Sequence, residues 1–127
     1  MATYGQQVKL TGLVAASNLS AGQYCFVKAA STAGQVKLAT SATSAVLGVL
    51  QNDPTAGQPA DVCAYGETKV KAVASLTFGA TITVNSSAYA AASQTTAGTV
   101  IVGRALEASA TSGDLIRILV DASGAKY

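Results

Sequence analysis

The chain has 127 residues and a mass of 12.6 kDa, the size of one ordinary domain. Half of its residues are hydrophobic and 11% are charged, with a net charge of +2. This balance argues against a disordered polyelectrolyte. The chain contains no His, which excludes the catalytic arrangements that depend on an imidazole base.

We expect a single β domain over residues 1–127, with an extended N-terminal arm over residues 1–7 and a flexible C-terminus over residues 122–127. The first residues lack the basic segment of a secretory signal. The longest uncharged stretch, residues 72–103, is interrupted throughout by Ser, Thr, Asn, Gln and Gly. No membrane span is therefore predicted, and we expect a soluble protein made in a bacterial cytoplasm.

Short runs rich in Val, Ile, Leu, Thr and Tyr recur along the chain, separated by turns that contain Gly, among them a turn at residues 65–67. This pattern is typical of an all-β sandwich or barrel. The predicted strands are residues 8–14, 24–28, 36–39, 45–51, 60–65, 68–73, 81–84, 100–106 and 115–120. The Ala-rich segment 88–93 shows no helical stripe, so one helical turn is the most we expect there. The fold prediction is a compact small barrel or sandwich of short antiparallel strands.

The first seven residues and the strand that follows suggest an arm that adds a strand to a neighbour's sheet. Tyr4 lies in the polar start of the chain, and Val8 and Leu10 alternate in the first strand. Main-chain hydrogen bonds give such an added strand affinity without special side chains. The alternative is an ordinary first strand with a frayed terminus.

A weak internal repeat relates residues 46–50 to residues 101–106, each a strand with a central Gly followed by a Gly turn. A Gly inside a strand marks a bulge or a close backbone approach, which we expect at Gly48 and Gly103. These observations are compatible with an internal duplication. Chance similarity in a chain rich in Ala, Gly, Ser and Thr is the alternative.

The strand at residues 68–73 places Lys69 and Lys71 on one face and Val70 and Ala72 on the other. This alternation predicts a strand with one face exposed to water. Lys69 and Lys71 then form a solvated face that blocks edge-to-edge aggregation, or they contact an acidic partner surface.

The strand at residues 115–120 is apolar on both faces, since Leu115 and Leu119 flank Arg117 on one of them. A partner subunit is the expected cover for the second face. Arg104 and Arg117 both interrupt apolar strands. Each needs an acidic partner, such as Glu107 or Asp61, or lies in an interface.

No motif predicts a reaction. Cys25 and Cys63 lack metal-ligand spacing and are expected to be small buried thiols, with a single bridge as the alternative. Asp114 is expected to accept hydrogen bonds from the turn at residues 112–113. The basic residues are scattered, so no nucleic-acid partner is predicted. We predict no catalytic, cofactor-binding or metal-binding residue and no enzyme activity.

With no catalytic or ligand site predicted, we expect a protein whose surface is covered by other subunits. The candidate interface residues combine the first strand with the cations of the later strands: Tyr4, Val8, Leu10, Lys69, Lys71, Arg104 and Arg117.

Several segments resemble the tailed-phage capsid cement, or head decoration, proteins. The segments are LSAGQ at 19–23, VLGVLQND at 46–53, AGQPADV at 56–62, VGRALEA at 102–108 and SGDLIRIL at 112–119. The likeness runs in order over about residues 8–121. Residues 1–7 and 85–98 show no match.

The resemblance implies a structural virion protein, without cofactors, that binds the outside of an icosahedral capsid and braces it. Its expected partners are the major capsid protein and two further copies of itself, in a homotrimer on the outer surface of the virion. The alternative is a β-structured tail, fibre or surface module that binds a host receptor or glycan. Such a module needs an exposed polar and aromatic patch, for which Tyr24, Tyr65 and Tyr89 are available.

Overall fold

A computed structural model describes residues 7–93 and 97–123. Within these residues the chain forms ten β-strands and no helix, which confirms the all-β prediction. The strands are β1 Gln7–Leu10, β2 Val14–Ala15, β3 Phe26–Ala29, β4 Gln35–Leu38, β5 Val46–Leu50, β6 Val62–Ala72, β7 Thr81–Val84, β8 Ala90–Ala92, β9 Gly103–Ala105 and β10 Asp114–Asp121. Residues 1–6, with Tyr4, and residues 124–127 of the predicted C-terminal segment lie outside the described residues.

Five strands close into a small barrel. The pairs β6–β10, β10–β9, β9–β7 and β7–β8 are antiparallel, and a parallel contact between β8 and β6 completes the ring. Closure removes the free edges that an open sheet would expose. The compact small barrel of the sequence prediction is therefore confirmed.

The remaining strands extend the sheet outside the barrel. From β6 the order continues through β5, β3 and β4 to β2, and β1 pairs with β6. The pairing of β2 with β4 is parallel, as is that of β6 with β8, so the strands are not antiparallel throughout. Both parallel contacts are two residues long or shorter.

Two clusters of buried side chains form the core. All five barrel strands contribute to the larger one, with Val70, Ile82, Ala90, Ala105 and Ile118 among its members. The smaller cluster joins β2 to β6 through residues such as Val27, Val36, Leu50 and Val62. The buried residues of β10 alternate as predicted, at Ile116, Ile118 and Val120.

One predicted turn is wrong. Residues 60–65 and 68–73 were expected to be two strands joined at residues 65–67, yet they form the single strand β6. Gly66, with a φ of 119°, is paired on both sides, with Gln7 of β1 and Val120 of β10. Pairing on both edges holds the chain in the sheet and outweighs the local turn preference of Gly.

A strand within residues 88–93 was also missed, since one helical turn was the most expected there. Ala90–Ala92 form strand β8, which pairs with β7 and closes the barrel through Ala72 of β6. Ala has no strong preference for strands, so tertiary pairing decides the conformation here.

Candidate docking surface

The long strands β6 and β10 present one continuous layer of side chains to solvent. Their register places Tyr65, Glu67, Lys69 and Lys71 of β6 opposite Asp121, Leu119, Arg117 and Leu115 of β10. On the far side of β10, Arg104 of β9 is opposite Leu119, and on the far side of β6, Val8 of β1 is opposite Tyr65. We call this layer the outer face: Val8, Tyr65, Glu67, Lys69, Lys71, Arg104, Leu115, Arg117, Leu119 and Asp121.

Five of the seven predicted interface residues lie on the outer face. Their sequence positions span more than a hundred residues, from Val8 to Arg117, and the strand register brings them together. Leu10 is instead half-buried and packs against the smaller core cluster. Tyr4 lies outside the described residues. The interface role of all seven stays a prediction.

Exposed apolar side chains alternate with charged ones on the outer face. Leu115 is 48% exposed and Leu119 is 39% exposed, although both belong to a strand whose opposite face is fully buried. Val8 and Tyr65 form an exposed cross-strand pair of an aliphatic and an aromatic side chain. Exposed apolar side chains gathered on one rigid sheet are typical of an interaction surface.

Arg117 is neutralised within this surface. Its Nη1 lies 3.3 Å from Glu67 Oε1 and its Nε lies 3.7 Å from Glu107 Oε2. The backbone amide of Arg117 also donates to Glu107 Oε1, at 2.7 Å. The acidic partner predicted for Arg117 is therefore present in Glu107, whereas Asp61 pairs with Lys9.

Arg104 takes a different role. Its Nη1 donates a hydrogen bond to the carbonyl oxygen of Gly79, at 3.0 Å. The amide of Gly79 in turn donates one to the carbonyl oxygen of Ala105. These two bonds fasten the loop between β6 and β7 to the edge of the outer face. Arg104 is exposed and uses this carbonyl oxygen as its partner.

The same loop carries Phe78, which is 75% exposed and is the most exposed large hydrophobic side chain among the described residues. Leu76 anchors the loop in the core. The buried Ser109 binds it through its hydroxyl, which accepts from the amide of Leu76 at 2.9 Å and donates to the carbonyl oxygen of Val73. The structure thus presents an aromatic side chain to solvent on a well-braced loop.

Sequence reasoning missed Phe78 as a functional candidate. Phe78 and Gly79 lie between the predicted strands 68–73 and 81–84, where a turn that contains Gly is expected, and a single Phe beside a Gly carries no further signal. A large apolar residue at a predicted turn would have been the available indication, since turns are normally exposed.

The three tyrosines of the alternative prediction do not line one common concavity. Tyr24 lines a cavity of about 220 Å³ with Gln7, Lys69 and Arg117. Tyr65 lines another, of about 300 Å³, with Val8. Tyr89 follows a turn in which Asn85 Oδ1 accepts its amide at 2.9 Å.

The cysteines are free, buried thiols, as predicted. Burial raises the pKa of Cys25 and of Cys63 above the usual thiol value. A raised pKa keeps a thiol protonated and unreactive near neutral pH. In residues 7–93 and 97–123 there is also no group of three or more side chains suited to hold a metal, and no helix that could cross a membrane.

The fold is similar to that of the N base of the head fiber protein gp8.5 in bacteriophage phi29, known from a crystal structure. The two have a TM-score of 0.66 and 20% sequence identity, over 96% of this chain and 100% of that one. No protein-family model matches the chain, and no curated protein matches it. At this identity the likeness establishes a shared fold.

Proposed function

We propose that this protein is a structural component of a tailed-phage head, which binds the outer surface of the icosahedral capsid and stabilises it. The observation that carries the proposal is the similarity in fold, over nearly the whole chain, to the base of a phage head fiber. The resemblance of residues 8–121 to capsid cement proteins supports it separately, because it rests on residue patterns and not on the backbone fold.

Phe78 is the proposed contact with the major capsid protein. An aromatic side chain that enters a pocket on a partner supplies a large share of the binding energy of an interface. The loop around Phe78 is already fixed by Arg104 and Ser109. Little conformational entropy is then lost when it binds.

The outer face is the proposed contact between copies of the chain, in a homotrimer. Leu115 and Leu119 supply apolar area, and Arg117 is already paired with Glu67 and Glu107. An Arg that keeps its carboxylate partners can enter an interface without leaving its own charge unpaired. Closed symmetric association of this kind buries apolar strand faces that a single copy exposes.

Stabilisation of the capsid follows from linkage. A protein that binds the assembled shell but not its separated subunits shifts the equilibrium toward the shell. Three linked copies bind one site with an avidity well above that of one copy. A modest contact at each Phe78 is therefore sufficient.

The test is to add the purified protein back to capsids from a phage that lacks its gene. We expect the wild-type protein to co-sediment with these capsids, to saturate, and to raise the temperature at which they release DNA. Failure of the wild-type protein to bind capsids would overturn the proposal.

The base of a longer head fibre is the second candidate, favoured because the similar structure is the N base of a head fiber. In that case the barrel still attaches to the head but supports a structure that reaches a host receptor or glycan. Electron microscopy of virions distinguishes the two. Density that ends at the barrel indicates a decoration protein, and a thin extension beyond it indicates a fibre.

A further inference from the structure

Two lysines face each other on the sheet outside the barrel. Lys28 of β3 and Lys37 of β4 are direct partners in the antiparallel register. Side chains at such positions lie on the same face and close together, and like charges placed there destabilise a sheet. An anion bound between the two ammonium groups would relieve this repulsion.

Within residues 7–93 and 97–123, no Asp or Glu side chain forms an ion pair with either lysine. All six Asp and Glu side chains fall within the described residues. The ion pairs in that part of the chain join Lys9 to Asp61 and Arg117 to Glu67 and Glu107, and neither Lys28 nor Lys37 takes part.

Both lysines line an open concavity of about 460 Å³. Hydroxyl side chains form much of the rest of its wall, and none of the six acids lines it. Its polar residues are Lys28, Ser31, Lys37, Ser41, Thr43 and Ser44.

The hydroxyl side of this concavity is ordered by its own hydrogen bonds. Ser41 Oγ accepts the amide of Thr43 at 3.2 Å and lies 2.9 Å from Thr43 Oγ1. The amide of Ser44 donates a hydrogen bond to the carbonyl oxygen of Ser41, at 3.0 Å. The amide of Val100 donates one to the carbonyl oxygen of Ala42, at 2.7 Å. The segment at residues 41–44 is thus held in place before any ligand arrives.

We propose that this concavity, which we call the Lys28–Lys37 site, binds a phosphate or sulfate group. The two ammonium groups provide charge, and the exposed hydroxyls of Ser41 and Thr43 donate hydrogen bonds to the oxygens. Charge-assisted bonds of this type are the strong ones in anion recognition. The site shares no residue with the outer face or with the Phe78 loop, so it does not depend on the proposed attachment to a capsid.

Titration of isotope-labelled protein with inorganic phosphate, at an ionic strength matched with sodium chloride, tests the site by NMR. We expect saturable amide shifts confined to residues 28–31, 37 and 41–45. A parallel titration with dimethyl phosphate distinguishes the sources: a response identifies an esterified phosphate on a larger molecule, and a response to inorganic phosphate alone identifies the free anion. No response to either probe beyond that to chloride would overturn the proposal.

Variants make the assignment specific. Lys37→Gln is expected to weaken phosphate binding about tenfold. Lys69→Gln removes the same charge from another strand and leaves the binding unchanged. If Lys69→Gln weakens binding as much as Lys37→Gln does, the effect is general electrostatics and the site is wrong.

Thermal unfolding gives a second readout. In chloride, Lys37→Gln should unfold at the same or a higher temperature than wild type, because it removes a like-charge contact. In phosphate the order should reverse, since the anion stabilises only a folded protein that binds it. Equal gains in phosphate for both proteins would contradict the Lys28–Lys37 site.

Discussion

Gly48 of β5 and Gly103 of β9 make the same close backbone contact in the two halves of the chain. Their φ angles are 159° and 154°. A Cβ atom at Gly48 would overlap the carbonyl oxygen of Cys63, and one at Gly103 would overlap that of Leu119. The close approach predicted for both residues is confirmed, and it supports the internal repeat.

Gly48→Ala and Gly103→Ala should each lower the free energy of unfolding by about 3 kcal/mol or more, because a neighbouring backbone cannot move aside cheaply. Gly57→Ala is the control: its φ is +80°, but a Cβ there meets nothing within 4 Å. Backbone strain alone should lower the free energy of unfolding of this variant by about 1 kcal/mol. Urea unfolding measures all three, and equal costs would show that the carbonyl contacts do not matter.

Ser109→Ala should destabilise the Phe78 loop. The change leaves the amide of Leu76 and the carbonyl of Val73 without their side-chain partner, at a cost of about 1–3 kcal/mol. Hydrogen exchange at the Leu76 amide should also become faster. The exposed Ser20→Ala serves as control and should change stability by less than about 0.5 kcal/mol. An unchanged exchange rate at Leu76 would show that Ser109 does not brace the loop.

Because of Asp114, the stability of the fold should depend on pH in the acid range. Its carboxylate accepts the amides of Thr111 and Ala110, each at 2.9 Å, and these bonds lower its pKa below the usual 3.8. The turn-forming role of Asp114 is as predicted, although the donors differ from the expected residues 112–113. A lowered pKa means that the stabilisation is present above pH 3.8 and is lost as the pH falls through the pKa of the folded state.

The variant Asp114→Asn should therefore unfold at a lower temperature than wild type at pH 7. The gap should close at a pH below the folded pKa, where wild type loses the same interaction. Thermal unfolding over the acid range checks this. A gap that stays constant down to the lowest pH would mean that the charge of Asp114 contributes nothing.

Much of the sheet could be predicted from the sequence because side-chain alternation reports burial directly. The inward residues Val70 and Ala72 and the outward residues Lys69 and Lys71 are as expected. The failures at Gly66 and at Ala90–Ala92 share a cause. Both segments have weak local preferences, and their conformation is decided by partners distant in sequence.

The surface was predictable in part for a related reason. Arg104 and Arg117 could be identified because charges that interrupt apolar strands stand out in a sequence. Lys69 and Lys71 could be identified because they alternate with apolar residues. Phe78 and the pairing of Lys28 with Lys37 depend on a loop anchor and on strand register, which no local pattern encodes. Register in particular is set by tertiary pairing.

The proposed trimer predicts that a charge on the outer face prevents association. Leu119→Glu places a second carboxylate opposite Glu67 and removes apolar area from the contact. Light scattering coupled to size exclusion should show a trimer for wild type and a single chain for this variant. Ala56→Glu, on the exposed turn before β6, is the matched control and should stay trimeric. A wild-type protein that is monomeric at all concentrations would contradict the trimer.

Phe78→Ala should abolish the binding of the protein to capsids and leave its stability unchanged, since the side chain is mostly exposed. Leu76→Ala, two residues earlier and buried, should instead cost about 2–5 kcal/mol of stability. Co-sedimentation with capsids and urea unfolding separate the two effects. Undiminished capsid binding by Phe78→Ala would place the contact elsewhere.

The most direct test of attachment to the head is a cryo-electron microscopy difference map between wild-type virions and virions that lack this gene. The proposal predicts extra density on the outside of the capsid, at symmetric positions, into which the five-stranded barrel fits. Identical head surfaces, with the extra density on the tail or absent, would contradict it.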